Sequence, residues 1–171
     1  MQQQNVILQP FTGGSPYLDD AVVTHMQVWP KDEEGTTRSY FSRYAGYEGF
    51  RGLLALVNEQ VVGFGFGAHV HTGNWWYDRV AAQVGSDSPS LQHAWVLNEL
   101  GVLEAYRSKG IGGILLEALL AHQPYTYALL STEVTNTRAR RLYEQHGWRY
   151  LVESMIFREG QEPFVVMQKK M

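Results

Sequence analysis

With 171 residues, 44% of them hydrophobic and 13% aromatic, the chain carries enough apolar material for one compact domain with a sizeable core. Charged residues make up only 18%, the formal net charge is -3 and the isoelectric point is near 6.1, so no basic field gathers phosphate backbones and nucleic acid is not expected as a partner. The absence of cysteine removes disulfides, thiolate metal sites and a cysteine nucleophile together, and leaves the chemistry to oxygen and nitrogen groups.

The start, MQQQNVILQPF, lacks a basic region followed by a long apolar run, and no apolar stretch approaches the ~18 residues of a membrane span. A soluble, cytoplasmic protein without a membrane partner is expected. VILQPF reads as a first strand, FTGGSP as a turn, and Tyr17 to Val28 as a first helix that Pro30 ends. The charged segment KDEEGTT reads as a turn, after which Tyr40, Phe41 and Tyr44 recur at helical spacing in a short second helix. RGLLALVNEQVVGFGFGAHV then alternates around Asn58 and Glu59 as a β-hairpin. Gly63, Gly65 and Gly67 form a bare stripe on its second strand, with Phe64 and Phe66 on the other face, so a helix or a ligand comes close to the stripe.

Residues 71–93, HTGNWWYDRVAAQVGSDSPSLQH, read as an inserted flap with two helical turns from Trp75 to Val84. AWVLNELGVL follows as a central strand, GIGGILLEALLAHQ as a helix stopped by Pro124, and TYALLSTEV as another strand. NTRARRLYEQH is a helix with Ala139, Leu142, Tyr143 and His146 on one face, closed by Gly147. Arg138, Arg140 and Arg141 read as its solvated side, or as a contact to a phosphate or an adenine. WRYLVESMIF and FVVMQKK close the chain as a hairpin around REGQE.

A strand, a glycine-rich turn and a helix start bind phosphate through the unpaired N–H groups and partial positive charge of the first helical turn. No P-loop string occurs, and a dinucleotide fingerprint finds Leu115 where its third glycine belongs, although Glu133 stands where a ribose-binding acid would. Instead EAYRSK separates the strand from Gly110 and sets Arg107 and Lys109 beside the turn, which suits a pyrophosphate. Glu104 is expected to point away from it.

Residues VLEAYRSKGIGG resemble motif A of the GNAT superfamily of acyl-CoA-dependent N-acetyltransferases, with Arg107, Gly110 and Gly112 in the consensus places. NTRARRLYEQHGWRYL resembles the second half of that family through Asn136, Ala139, Leu142, Tyr143, Gly147 and Trp148. The resemblance is tight over about residues 94–150. It implies an α/β (α+β) fold, a central mixed, splayed sheet of about six to seven strands flanked by about four helices, in a single domain over residues 1–171. It further implies acetyl-CoA as co-substrate and a small-molecule or peptide amine as acceptor; a homodimer is left open.

Under that resemblance Leu100, Gly101 and Val102 offer backbone N–H groups to the thioester and pantetheine, and Arg107, Ser108, Lys109, Gly110, Ile111, Gly112 and Gly113 hold the pyrophosphate. Asn136 and Ala139 touch the cofactor's amide chain, Asn136 being equally a helix cap. An alkyl ammonium lies about six pH units above an ordinary carboxyl, a gap of about 8 kcal/mol, which only a buried base narrows. Glu99, in an apolar strand, is the expected base unless it is a structural carboxylate, and Tyr143 is the expected acid unless it is a core tyrosine. Trp29, Trp75, Trp76 and Asp78 are the expected amine-binding groups, with Tyr40, Tyr44 and Tyr47 beside Trp29 on the opposite wall; Trp75, Trp76 and Asp78 otherwise pin the flap to the core. His69, His71 and His93 share a spacing open to zinc, to a base or substrate contact, or to plain polar roles at the sheet edge, and no metal is expected. The competing functions are a CoA-binding module without catalysis and a protein-interaction domain.

Overall fold

The computed structural model describes residues 5–171. Its chain order is β1 (Ile7–Phe11), α1 (Tyr17–Val28), α2 (Glu34–Ala45), β2 (Arg51–Val57), β3 (Gln60–His69), α3 (Trp75–Val84), β4 (Ala94–Val102), α4 (Ile111–Leu120), β5 (Tyr127–Glu133), α5 (Thr137–Gln145), β6 (Arg149–Met155) and β7 (Phe164–Lys170). The seven strands form a mixed sheet in the order β1-β2-β3-β4-β5-β7-β6, in which β4 and β5 pair in parallel while β1–β2, β2–β3, β5–β7 and β6–β7 are antiparallel. The architecture is α/β, with five α-helices among the described residues where about four were expected. The fifth is α3, which the sequence presents as helical turns in the flap. Contacts divide the chain into two compact units, one running to Ala68 and including Leu97–Ala121, the other made of His69–Val96 and His122–Met171.

In the first unit, α1 buries Leu18, Ala21, Val22 and His25, the i, i+3, i+4, i+7 stripe of an amphipathic helix. α2 starts earlier than expected, inside the charged segment, because the Glu33 carboxylate caps it by accepting from the Gly35 and Thr36 N–H groups at 2.8 and 2.6 Å. Phe11, Phe41, Phe64 and Phe66 meet edge-on or tilted at 4.7–6.5 Å in the shared core. Asn58 and Glu59, at φ 49° and 65°, make the two-residue turn between β2 and β3.

The glycine stripe of β3 is met by protein. A Cβ on Gly63 would lie 3.3 Å from Leu115 and from Val102, and one on Gly65 would lie 2.8 Å from Leu119 and 3.0 Å from Leu100. The stripe therefore seats α4 and β4, the helix alternative of the two. α4 itself ends at Leu120, short of the expected Gln123, where His122 takes φ 57°. The Arg51 guanidinium receives the freed carbonyls there, donating to Leu119 O at 3.1 Å and Ala121 O at 2.5 Å.

In the second unit, residues 71–93 hold α3, capped by Asn74, whose side chain accepts from Trp76 and Tyr77 N–H at 3.1 Å. Tyr77 and Val80 are buried with Val70, Leu129, Val152, Phe157 and Val166. α5 opens on Asn136 and closes at Gly147, φ 83°, as its pattern predicts. β6 and β7 pair as the closing hairpin, and β7 takes the place next to β5.

Candidate functional site

The loop between β4 and α4 lies wholly in the first unit. A single 3-10 turn, Glu104–Tyr106, leads from the strand to Arg107, and Ser108 at φ 61° and Gly110 at φ 82° then turn the chain into α4. Two left-handed residues around Lys109 make a concave run of backbone N–H groups, a geometry suited to anions. No side chain caps α4, and nothing lies within 4 Å of the place a Cβ would occupy on Gly110. The loop is latched from behind: the Arg107 guanidinium Nε donates to Val102 O at 3.0 Å, and Tyr106 donates to Gln60 Oε1 at 3.1 Å. Lys109 lies over the Tyr106 ring at 5.2 Å, with its ammonium exposed beside the helix start. From Arg107 to Gly113 there is no acidic residue, so the donor set of Ser108, Lys109 and the N–H groups of Gly110, Ile111, Gly112 and Gly113 fits a diphosphate, with Arg107 as the latch and a second cation.

Glu99 sits on β4 two residues before Gly101, inside a cage built by α1, α2 and the loop between them. Burial, reinforced by the Asp32 carboxylate, pushes its carboxyl from the ordinary 4.5 up to about 8, while 22% of the side chain stays accessible. Desolvated yet reachable is the condition a base needs. His25 Nδ1 stands 4.0 Å from Glu99 Oε2, and His25 Nε2 is 2.8 Å from Asp32 Oδ2. Trp29, 37% exposed, covers the imidazole at 4.6 Å and lies so close to Gly101 that a Cβ there would meet the indole at 3.1 Å and Phe64 at 2.9 Å. The neighbouring Asn98 hydrogen-bonds the Tyr40 hydroxyl, and because its Oδ1 is buried without a partner, the amide nitrogen makes that bond. Tyr40 is driven to a higher pKa by burial first and then by the Glu99 charge. The cage thus sets Glu99 and His25 Nδ1 between aromatic walls, with Asn98, whose Oδ1 is buried, as the adjacent residue on the strand.

Of these groups the sequence offers Glu99, Trp29 and, as a further aromatic of the acceptor wall, Tyr40, and misses His25, Asp32 and Asn98. His25 left a trace, as a histidine closing the apolar stripe of α1. The other two are gathered only by the packing of α1 and α2 on β4.

In the second unit, the Tyr143 side chain is buried beside Trp148, ring centroids 5.7 Å apart. Asn136 is engaged as the helix cap, accepting from Ala139 N–H at 3.2 Å and donating to Thr132 Oγ1 at 3.3 Å. Ala139 is half-buried on the same helix. Arg140 leaves the expected solvated patch: it donates to Val134 O at 2.6 Å and to the Tyr150 hydroxyl at 3.0 Å, leaving Arg138 and Arg141 exposed. The Trp76 indole donates to Ser131 Oγ at 2.9 Å and stacks on Phe157, and Asp78 accepts the Gly73 N–H at 3.0 Å, so both are engaged in holding α3. Trp75 is 43% exposed between the guanidinium groups of Arg79 and Arg158, at 4.4 and 4.7 Å. His69 bonds Ala94 O at 2.7 Å and stacks on Tyr125, His93 lies against the same ring, and His71 turns to Thr72 O. Among the described residues no group of three histidines, cysteines or carboxylates is placed to hold a metal ion.

A relative from Bacillus subtilis (strain 168), the uncharacterized N-acetyltransferase YhfO, is 41% identical over 64 residues, which are 36% of this chain and 43% of that one, so the match spans under half of the relative's length. PH1933 from Pyrococcus horikoshii OT3 shares the fold at a TM-score of 0.70 and 19% identity, covering 98% of this chain and 99% of that one. Arabidopsis thaliana NAA60, solved in complex with acetyl-CoA, shares it at a TM-score of 0.69 and 17% identity, covering 98% and 99%. The profile of the Acetyltransferase (GNAT) family matches residues 18–148, most of the chain. The chain belongs to the GNAT acetyltransferase family.

Proposed function

We propose that the protein transfers the acetyl group of acetyl-CoA to a primary amine, by direct attack of the amine and without a covalent enzyme intermediate. The observation that carries this reading is the cage around Glu99: a desolvated carboxyl raised to about 8, facing His25 and walled by Trp29 and Tyr40. An ammonium supplies donors to the Glu99 carboxylate, and the aromatic walls suit its charge.

Bound acetyl-CoA supplies the activated acetyl group as a thioester. In this reading Ser108, Lys109 and the N–H groups of Gly110 to Gly113 hold its diphosphate, Arg107 keeps the loop closed on Val102, and backbone N–H groups of Leu100, Gly101 and Val102 face the thioester carbonyl. Asn136 and Ala139 contribute to the hold on the amide chain. Glu99 removes a proton from the acceptor ammonium, which is about 3 kcal/mol uphill at its raised pKa against about 8 kcal/mol for an ordinary carboxyl. Tyr143 gives a proton to the leaving sulfur. Trp29 binds the acceptor; Trp75, Trp76 and Asp78 are engaged in holding α3 or the adjacent cations, and only the exposed edge of Trp75 remains for a substrate.

A calorimetric titration with acetyl-CoA, with NAD and ATP as controls, tests the cofactor assignment. Micromolar binding of acetyl-CoA alone is expected. Equal binding of all three, or of none, removes the assignment.

A further inference from the structure

His25 is a buried ionisable group that the reaction described above leaves unused. Its side chain is buried and clasped by rings, Trp29 at 4.6 Å, Phe41 at 5.3 Å and Phe64 at 6.0 Å. Nε2 lies 2.8 Å from Asp32 Oδ2 and donates its proton there, and in that tautomer Nδ1 is a bare lone pair. Nδ1 is buried, has no hydrogen-bond partner, and faces Glu99 Oε2 at 4.0 Å. Against an ionised Glu99 two acceptors oppose each other; against a protonated Glu99 the same pair is a donor and an acceptor. Closing from 4.0 Å to hydrogen-bond length takes a movement of about 1 Å. The ionisable groups that face the imidazole are Asp32 from the α1–α2 loop and Glu99 from β4, while α2 and β3 present the apolar rings of Phe41 and Phe64. Tyr40 of α2 stands within reach of the Glu99 charge.

The reaction balance makes a second acceptor useful. Two protons leave the acceptor nitrogen in each cycle, one is matched by the proton gained by sulfur, and one leaves for water. Glu99 can hold one of the two at a time.

Resting on Glu99 as the base, we propose that His25, held by Asp32, stores the proton that Glu99 removes from the acceptor: the Glu99 O–H bond breaks, an N–H bond forms at His25 Nδ1, and the imidazolium rests between the two carboxylates. Glu99 is thereby restored as a carboxylate for the second proton on nitrogen. When the product leaves, one of the two protons replaces, by way of solvent, the proton that Tyr143 gave to sulfur, the other passes through Glu99 to water, and the Nε2–H tautomer returns. His25 is a positioning residue, acting on the acceptor only through Glu99.

Two measurements on the full chain test this. In the protein labelled with ¹⁵N-histidine, the Nδ1 resonance of His25 is followed against pH in wild type and in Glu99→Gln. A step near pH 8 that vanishes in Glu99→Gln is expected; the same titration in both proteins overturns the proposal. This readout needs no turnover, so it stands even where the amine-acetylation reading fails. In steady-state kinetics, His25→Gln is expected to lower kcat about 10-fold or more with acceptor KM within about twofold, and unchanged kcat overturns the store. Asp32→Asn, at a half-exposed position, is expected to lower the same parameter to a smaller extent, and an effect confined to KM counts against it. A wild type that acetylates no amine refutes the base reading, with the spectroscopic coupling judged separately.

Discussion

Replacing Glu99 by Gln is expected to change how stability depends on pH, and the structure sets the size. The unfolded chain loses the Glu99 proton near 4.5 and the folded chain near 8, so between these values the folded state binds the extra proton. Stability from this group is fully present below 4.5, falls by about 1.4 kcal/mol per pH unit as pH rises, and stops falling above about 8. The full span is about 5 kcal/mol, and with 22% of the side chain in contact with solvent a measured loss of about 2–5 kcal/mol is expected. The amide of Gln keeps the shape and cannot ionise. Urea unfolding of both proteins at pH 5, 6, 7 and 8 should therefore show similar stability at pH 5, and at pH 8 a variant less destabilised than wild type by that amount. In thermal scans the difference at pH 8 corresponds to roughly 5–15 °C. Parallel pH dependences in the two proteins would refute the raised carboxyl and, with it, the reason for assigning Glu99 as base.

Three further outcomes are expected. Tyr143→Phe should keep acetyl-CoA affinity within about twofold and slow turnover about 10²-fold or more; equal turnover in stopped assays removes Tyr143 from the reaction. Gly112→Val should weaken acetyl-CoA binding about 10-fold or more in calorimetry, because the side chain enters the space assigned to the diphosphate, and unaltered binding would relocate that group. Gly65→Ala should destabilise the fold by about 1–3 kcal/mol, since its methyl would sit 2.8 Å from Leu119 and 3.2 Å from the Glu99 carbonyl oxygen. A neutral result in urea unfolding would refute the close seating of α4 on the stripe.

Much of the fold was legible because its signals are local. The alternation and the Asn58–Glu59 turn specify the β2–β3 hairpin, the glycines of β3 announce a close neighbour, and Gly147 closes α5 by a conformation few other residues accept. Glu99 was legible for a related reason, since a carboxyl in an otherwise apolar strand stands out by its cost. The boundary of α2 was not, because the capping carboxylate of Glu33 lies in a segment whose charges read as a turn. Nor was the cage itself. Asp32 and His25 are seven residues apart and joined by a helix end, while Asn98 and Tyr40 meet across 58 positions of chain. Pairings of that range depend on packing and leave no pattern in the sequence. The histidines had the opposite fate: His69 and His71 share a strand-like spacing, but backbone carbonyls at Ala94 and Thr72 take their ring nitrogens.

The central claim is amine-dependent acetyl transfer. Its most direct test is to incubate the protein with acetyl-CoA and a panel of small-molecule and peptide primary amines, following free thiol and product mass together. The account predicts thiol release matched one for one by an acetylated amine, at a rate that rises with pH towards a plateau above about 8 and is lost in Glu99→Gln. Tight binding of acetyl-CoA with no transfer to any amine, or thiol release without an acetylated product, would contradict it.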